Sequence, residues 1–235
     1  MTLCSTWSRV KTALCTPSES EFMSTTLLFV RHGESEANGN GFFAGQLDIP
    51  LSQRGLQQAE LTARYIKENY IVDTVYSSDL QRAACTALPI ARECGKELIQ
   101  TQQLREIFAG QWQGMCFDDL QIKHANTYGV WLRDIGNANP PDGESVADLA
   151  ERIWNIVQKI AENAQGKTVV IVTHATPIRA LLCRLKGLGL GEMKNVPWVS
   201  NASVTVVRYD GSWTLAQESL DAHLAQLKTQ FPANV

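Results

Sequence analysis

Short apolar runs in this chain alternate with stretches whose apolar residues return at helical spacing, and that alternation limits the fold more than any other feature. Thr26 to Val30 is apolar and stops at Arg31-His32-Gly33, which reads as a buried strand. Leu56, Ala59, Ala63, Ile66 and Tyr70 then step by three and four behind Ser52, a candidate N-cap. Val72 to Tyr76 predicts a second strand, and Ser78 with Gln81 predicts a capping box opening a helix through about Ala91. A weak strand is expected near Leu98, followed by an irregular stretch over 107–143 that contains Pro140-Pro141-Asp142-Gly143. Val146, Leu149, Ile153, Ile156 and Ile160 mark a helix ending near Gly166. Thr168 to Val172 is the most strand-like segment, and Thr176-Pro177 predicts the cap and first turn of a helix that Gly187 stops. Ser203 to Val207 and Trp213 to Ala216 suggest a hairpin around Asp210-Gly211, and Leu220, Leu224, Leu227 and Phe231 a closing amphipathic helix.

Strands alternating with helices imply an α/β fold, a three-layer α/β/α sandwich with a mostly parallel central sheet. In such sheets the site lies beyond the carboxyl ends of the strands. The 235 residues, 44% hydrophobic and 19% charged, suffice for a full core. Residues 1–22 stand apart, rich in Ser and Thr without a sustained apolar block. We expect a disordered leader or upstream extension there, with 23–235 as one domain. Against 24 acidic residues stand 21 basic ones, a net charge of −3, which rules out a broadly basic nucleic-acid surface but allows a local basic pocket. No apolar run approaches the ~20 residues of a membrane helix. Cys4, Cys15, Cys85, Cys94, Cys116 and Cys183 form no Cys-x-x-Cys pair, so reduced thiols and a cytoplasmic location are expected. The apolar hairpin and tail leave room for a homodimer.

Chemistry concentrates at strand ends. Arg31 and His32 follow the first strand directly, and His174 follows the strand over 168–173. Two strands of one parallel sheet can deliver both imidazoles to the same rim. Arg82 falls in the first turn of a helix after another strand, where guanidinium and helix N-terminus both favour an anion. The helix start after His174 adds free N–H groups. Two arginines, two histidines and helix N-termini at one rim make a phosphate site.

The stretch Leu28-Phe29-Val30-Arg31-His32-Gly33-Glu34-Ser35-Glu36-Ala37-Asn38 resembles the signature of the histidine phosphatase superfamily, also called the phosphoglycerate mutase-like family. Gln46 through Gly55, Ser77 through Ala87, Leu104 through Gly114, Gly143-Glu144-Ser145 and Val172-Thr173-His174 resemble the blocks that follow, in the right order, from about residue 26 to 217. The resemblance implies a phosphoglycerate mutase-like fold, no cofactor, no metal and a small phosphorylated metabolite as partner, with neither nucleic acid nor membrane. It makes His32 the nucleophile that forms a phosphohistidine, and Arg31, Arg82 and His174 the surround of the phosphoryl group. Asn38 would add a neutral donor, and Gln46 would contact phosphate or substrate. Glu106 would serve as general acid and then general base, with Glu34, Glu36 and Glu144 as competing acids. Arg105 reads as a structural neighbour, His124 and His223 as lying outside the site, and the tryptophans as core.

One departure is Ala175, where the family usually carries glycine; a left-handed turn there would strain phosphate contact through its amide. The resemblance favours a phosphatase of small phosphomonoesters over a bisphosphoglycerate-dependent phosphoglycerate mutase. Mutases of the family carry a longer insertion between the acid and the second histidine, whereas here only 68 positions (174 minus 106) separate Glu106 from His174. A non-catalytic phosphate-binding module would have lost His32 or its arginines, and neither is lost. A metallohydrolase finds no short metal motif such as His-Glu-x-x-His. Substrate choice is expected from 107–143 and from Phe42 and Phe43.

Overall fold

The computed structural model describes residues 24–229. The expected leader and Phe231 lie outside them. In chain order the elements are β1 (Thr25–Arg31), α1 (Glu36–Asn40), α2 (Gln53–Asn69), β2 (Thr74–Ser78), α3 (Gln81–Cys94), β3 (Leu98–Thr101), α4 (Phe117–Lys123), α5 (Ala125–Arg133), α6 (Val146–Asn163), β4 (Thr168–Thr173), α7 (Ala175–Leu185), β5 (Val204–Tyr209) and β6 (Trp213–Leu220). The six strands form one sheet in the order β3-β2-β4-β1-β5-β6. β3, β2, β4 and β1 run parallel, while β5 and β6 form an antiparallel hairpin at one edge. The architecture is the mixed α/β arrangement expected from the strand and helix alternation.

The near-continuous apolar runs of β1 and β4 follow from burial on both faces. Leu27, Phe29, Val169 and Ile171 pack into a core shared with α6 and α7. Leu28, Val30, Val170 and Val172 point the other way, into a core with Ala63, Ile66, Ala83, Ala87 and Ile90. The register decides where the chemistry emerges. Arg31 pairs with Thr173, and the His32 amide donates to the Thr173 carbonyl at 3.0 Å. His32 and His174 therefore leave the sheet side by side.

Five local expectations need correction. The buried face of α2 runs through Gly55, Gln58, Ala59, Thr62, Ala63 and Ile66, and Leu56 is 43% exposed. Gln58 and Thr62 bury polar groups that a hydrophobic pattern does not register. Ser78 and Gln81 form no capping box: Leu80 stands at the cap, and Asp48 from a distant loop accepts from the Gln81 amide at 2.7 Å. The helix after β4 is capped by His174 rather than Thr176. Residues 107–143 are not wholly irregular, since they hold α4 and α5. After Leu220 the chain forms a kinked 3-10 segment over Ala222–Leu227 in place of the expected helix. Tail and body are tied instead by Gln58, whose amide donates to the Leu227 carbonyl at 2.7 Å.

Candidate active site

His32 sits at the end of β1, 5% exposed. Its Nδ1 lies 2.7 Å from the Gly33 carbonyl oxygen. A carbonyl can only accept, so Nδ1 carries the proton and Nε2 keeps its lone pair. Burial, then the charges of Arg82 and Arg31, push the imidazole pKa well below 6.5, which keeps the ring neutral. The turn holding it is tightly packed. A Cβ on Gly33 would stand 2.6 Å from the Gly55 carbonyl oxygen, and one on Gly55 2.0 Å from that of Glu34. Only glycines let the loop after β1 cross the start of α2 at this distance. Gln58 accepts from the Glu34 amide at 2.7 Å, and Thr86 from the Gly33 amide at 3.0 Å.

Arg31 and Arg82 flank this ring, and both line the same cleft. Arg31 donates to the Val199 carbonyl at 2.6 Å. Arg82 donates to the carbonyls of Leu47 and Gly45 at 2.8 and 2.7 Å. These anchors hold each guanidinium in one orientation. Burial lowers both pKa values to about 10, opposed by the Glu106 carboxylate, so both stay cationic at neutral pH.

His174 is fully buried, with its ring centroid 5.1 Å from that of His32. Its Nε2 lies 2.9 Å from the Ser78 hydroxyl, and its Nδ1 has no partner. That hydroxyl accepts from the Leu80 amide at 3.3 Å, and its own proton finds His174 Nε2 as its acceptor. The buried hydroxyl is satisfied only if it donates there, which makes His174 the Nδ1–H tautomer. A buried N–H donor is thereby left over beside His32. Burial again depresses the imidazole pKa, with Arg82 adding to it.

Glu106 lines the cleft as well. Its carboxylate accepts from the Ile107 amide at 2.8 Å and from the Thr176 amide, at the start of α7, at 3.3 Å. Burial raises its pKa above the ordinary carboxyl value, partly offset by these N–H groups and Arg82. The competing acids are otherwise engaged. Glu34 binds Ser52 and Arg54, Glu144 holds Arg152 at 2.8 Å, and Glu36 is exposed.

The other predicted residues divide. Asn38 lines the cleft, its Oδ1 accepting from Ser35 and Asn201, which leaves its amide N–H groups available. Gln46 does not line it; its side chain donates to the Glu106 carbonyl at 3.0 Å and so positions the acid. Ala175 lines the cleft as the first residue of α7, without the positive φ that would have favoured glycine. Arg105 is held by Asp79 through two bonds of 2.7 and 2.6 Å. His223 contacts Thr62 and the Ala202 carbonyl, away from the cleft. Phe42 and Phe43 line it, and so do Trp131 and Trp198, which were expected only in the core. Ser78 and Asn201 escaped sequence reasoning. Asn201 donates to the His32 carbonyl at 3.0 Å from a loop far along the chain, and no local pattern marks it. Among the described residues no three His, Cys, Asp or Glu side chains cluster as a metal site.

The sequence matches the histidine phosphatase superfamily (branch 1) over residues 27–219. The chain belongs to that superfamily. The chain is 34% identical over 184 residues to phosphoserine phosphatase 1 of Hydrogenobacter thermophilus, covering 78% of this chain and 86% of the relative. It is 36% identical over 169 residues to a phosphoglycerate mutase of Schizosaccharomyces pombe, covering 69% and 80%. The structure of mycobacterial glucosyl-3-phosphoglycerate phosphatase Rv2419c in complex with VO3 superposes with a TM-score of 0.77 at 28% identity, over 83% of this chain and 99% of that one. Among the described residues no helix is long and apolar enough to cross a membrane.

Proposed function

We propose that the chain hydrolyses a small phosphomonoester through a phosphohistidine on His32, without a metal. The observation that carries this reading is the bond from His32 Nδ1 to the Gly33 carbonyl, which leaves a neutral ring with its Nε2 lone pair at the cleft. Nε2 attacks phosphorus while the ester P–O bond breaks, and protonated Glu106 hands its proton to the departing alkoxide. The raised Glu106 pKa makes the acid form accessible. Water then attacks phosphorus, Glu106 takes a proton from it, and the P–N bond breaks to return His32 and free phosphate. Arg31, Arg82, the His174 Nδ1–H and the Asn38 amide surround the phosphoryl oxygens as fixed donors, so charge in the transition state is met without reorganisation. The two guanidinium groups supply the positive charge a metal would otherwise bring.

A rapid quench of turnover should trap acid-labile, base-stable phosphate on the wild-type protein and none on His32→Ala. Label or turnover persisting in His32→Ala defeats the reading. The relative named as a phosphoglycerate mutase supports a second reading, in which the phosphohistidine is passed to a phosphoglycerate instead of water. Interconversion of 2- and 3-phosphoglycerate that outpaces phosphate release would establish it.

A further inference from the structure

Beyond the phosphate cradle the cleft changes character. Its outer wall is built from Phe42, Phe43, Phe117, Tyr128, Trp131 and Trp198. Leu132, 48% exposed, stands at its edge. The rings lock together edge to face: Phe43 meets Trp131 at 5.1 Å and Trp112 at 5.6 Å between centroids. Trp112, itself fully buried, backs Tyr128 and Trp131 at 5.4 and 5.9 Å. Arg179 braces Trp198 from 4.2 Å, but its guanidinium is spent on the carbonyls of Val196 and Lys194 and does not line the cleft. The wall is therefore rigid and preformed.

Its charge is as telling as its shape. Among the described residues the cleft is lined by no lysine, by no arginine beyond Arg31 and Arg82, and by no carboxylate beyond Glu106. Those three face the transferring phosphate. What remains to meet the alcohol is aromatic surface and the neutral polar groups of Ser35 and Tyr128. A carboxylate or ammonium on the leaving group would lose its water here without gaining a partner. An apolar group would be buried against flat rings.

We infer that the preferred substrates are monoesters of uncharged, apolar or aromatic alcohols rather than phosphorylated amino acids or acids. This rests on the phosphatase reading of the same site. The test measures kcat/KM by phosphate release from 3-phenylpropyl phosphate, propyl phosphate, O-phospho-L-serine and 3-phosphoglycerate. Phenylpropyl and propyl phosphates share leaving-group chemistry, so their ratio isolates the wall. The serine and glycerate alcohols are better leaving groups, so chemistry alone would favour them.

3-Phenylpropyl phosphate should lead each of the others by on the order of tenfold or more, the discrimination an apolar pocket supplies. Leu132→Lys, at an exposed position, should shift the ratio towards 3-phosphoglycerate. Phosphoserine or 3-phosphoglycerate matching the phenylpropyl ester overturns the inference. So does propyl phosphate matching it, or a Leu132→Lys ratio that stays put. Hydrolysis of p-nitrophenyl phosphate without hydrolysis of the phenylpropyl ester would sink the substrate class while the phosphatase reading stands. No phosphohistidine and no hydrolysis of any ester would instead strike the phosphatase reading itself.

Discussion

Replacing Ser78 with alanine probes the least obvious support of the site. Ser78 is fully buried, and its hydroxyl bonds His174 Nε2 at 2.9 Å and the Leu80 amide at 3.3 Å. Alanine leaves both ring nitrogens of a buried histidine without partners, since Nδ1 has none already. An orphaned buried acceptor costs about 1–3 kcal/mol. At about 2–4 °C per kcal/mol for a domain of this size, the melting temperature should drop measurably. The functional effect differs in kind. Without the hydroxyl, His174 is free to protonate at Nε2 instead, and the donor facing the phosphoryl group is lost from part of the population. The rate should fall by roughly tenfold to a hundredfold, the kinetic equivalent of the same energy. The loss should appear in kcat more than in KM, because the donor matters most as charge builds in the transition state. Ser78→Thr keeps the hydroxyl and should recover most of the rate, which a purely structural role does not require. Ser78→Ala with wild-type kcat, or Ser78→Thr as impaired as Ser78→Ala, refutes the tautomer argument.

Glu106→Gln should slow propyl phosphate by roughly a hundredfold or more, the usual worth of a positioned acid, and p-nitrophenyl phosphate far less; equal losses on both esters would remove the acid role. In the wild type, activity limited by the first step should fall as pH rises through the elevated Glu106 pKa, and Glu106→Gln should flatten that alkaline limb in a pH–rate profile. His32 and His174 are held neutral with pKa values below the unfolded 6.5, so the unfolded chain binds more protons in that window and stability should fall as pH drops below about 6.5. Each contributes at most about 1.4 kcal/mol per pH unit, and denaturant melts at pH 7 and 5.5 would show it. Gly55→Ala drives a Cβ to 2.0 Å from the Glu34 carbonyl oxygen and should cost on the order of 1–3 kcal/mol with a slower enzyme, whereas Gly39→Ala meets nothing within 4 Å and should leave the melting temperature unchanged or raised.

Much of this protein could be read in one dimension because the signals were local. Apolar runs buried on both faces announce parallel strands, and the helical stripe of α6 announces a layer that covers them. The motifs around Arg31-His32, Arg82, Glu106 and His174 are contiguous, so their resemblance to one family survives without coordinates. Other features belong to contacts between segments far apart in the chain. The β1–β4 register sets two imidazoles 5.1 Å apart, and Asp48 caps a helix that Ser78 was expected to cap. Ser78 turns instead to His174, and Asn201 reaches back to the His32 carbonyl. Trp131 and Trp198, unremarkable core residues by composition, become part of the cleft wall. A side chain's type is written in the sequence, but its partner, tautomer and pKa are set by what the fold brings within about 3 Å of it.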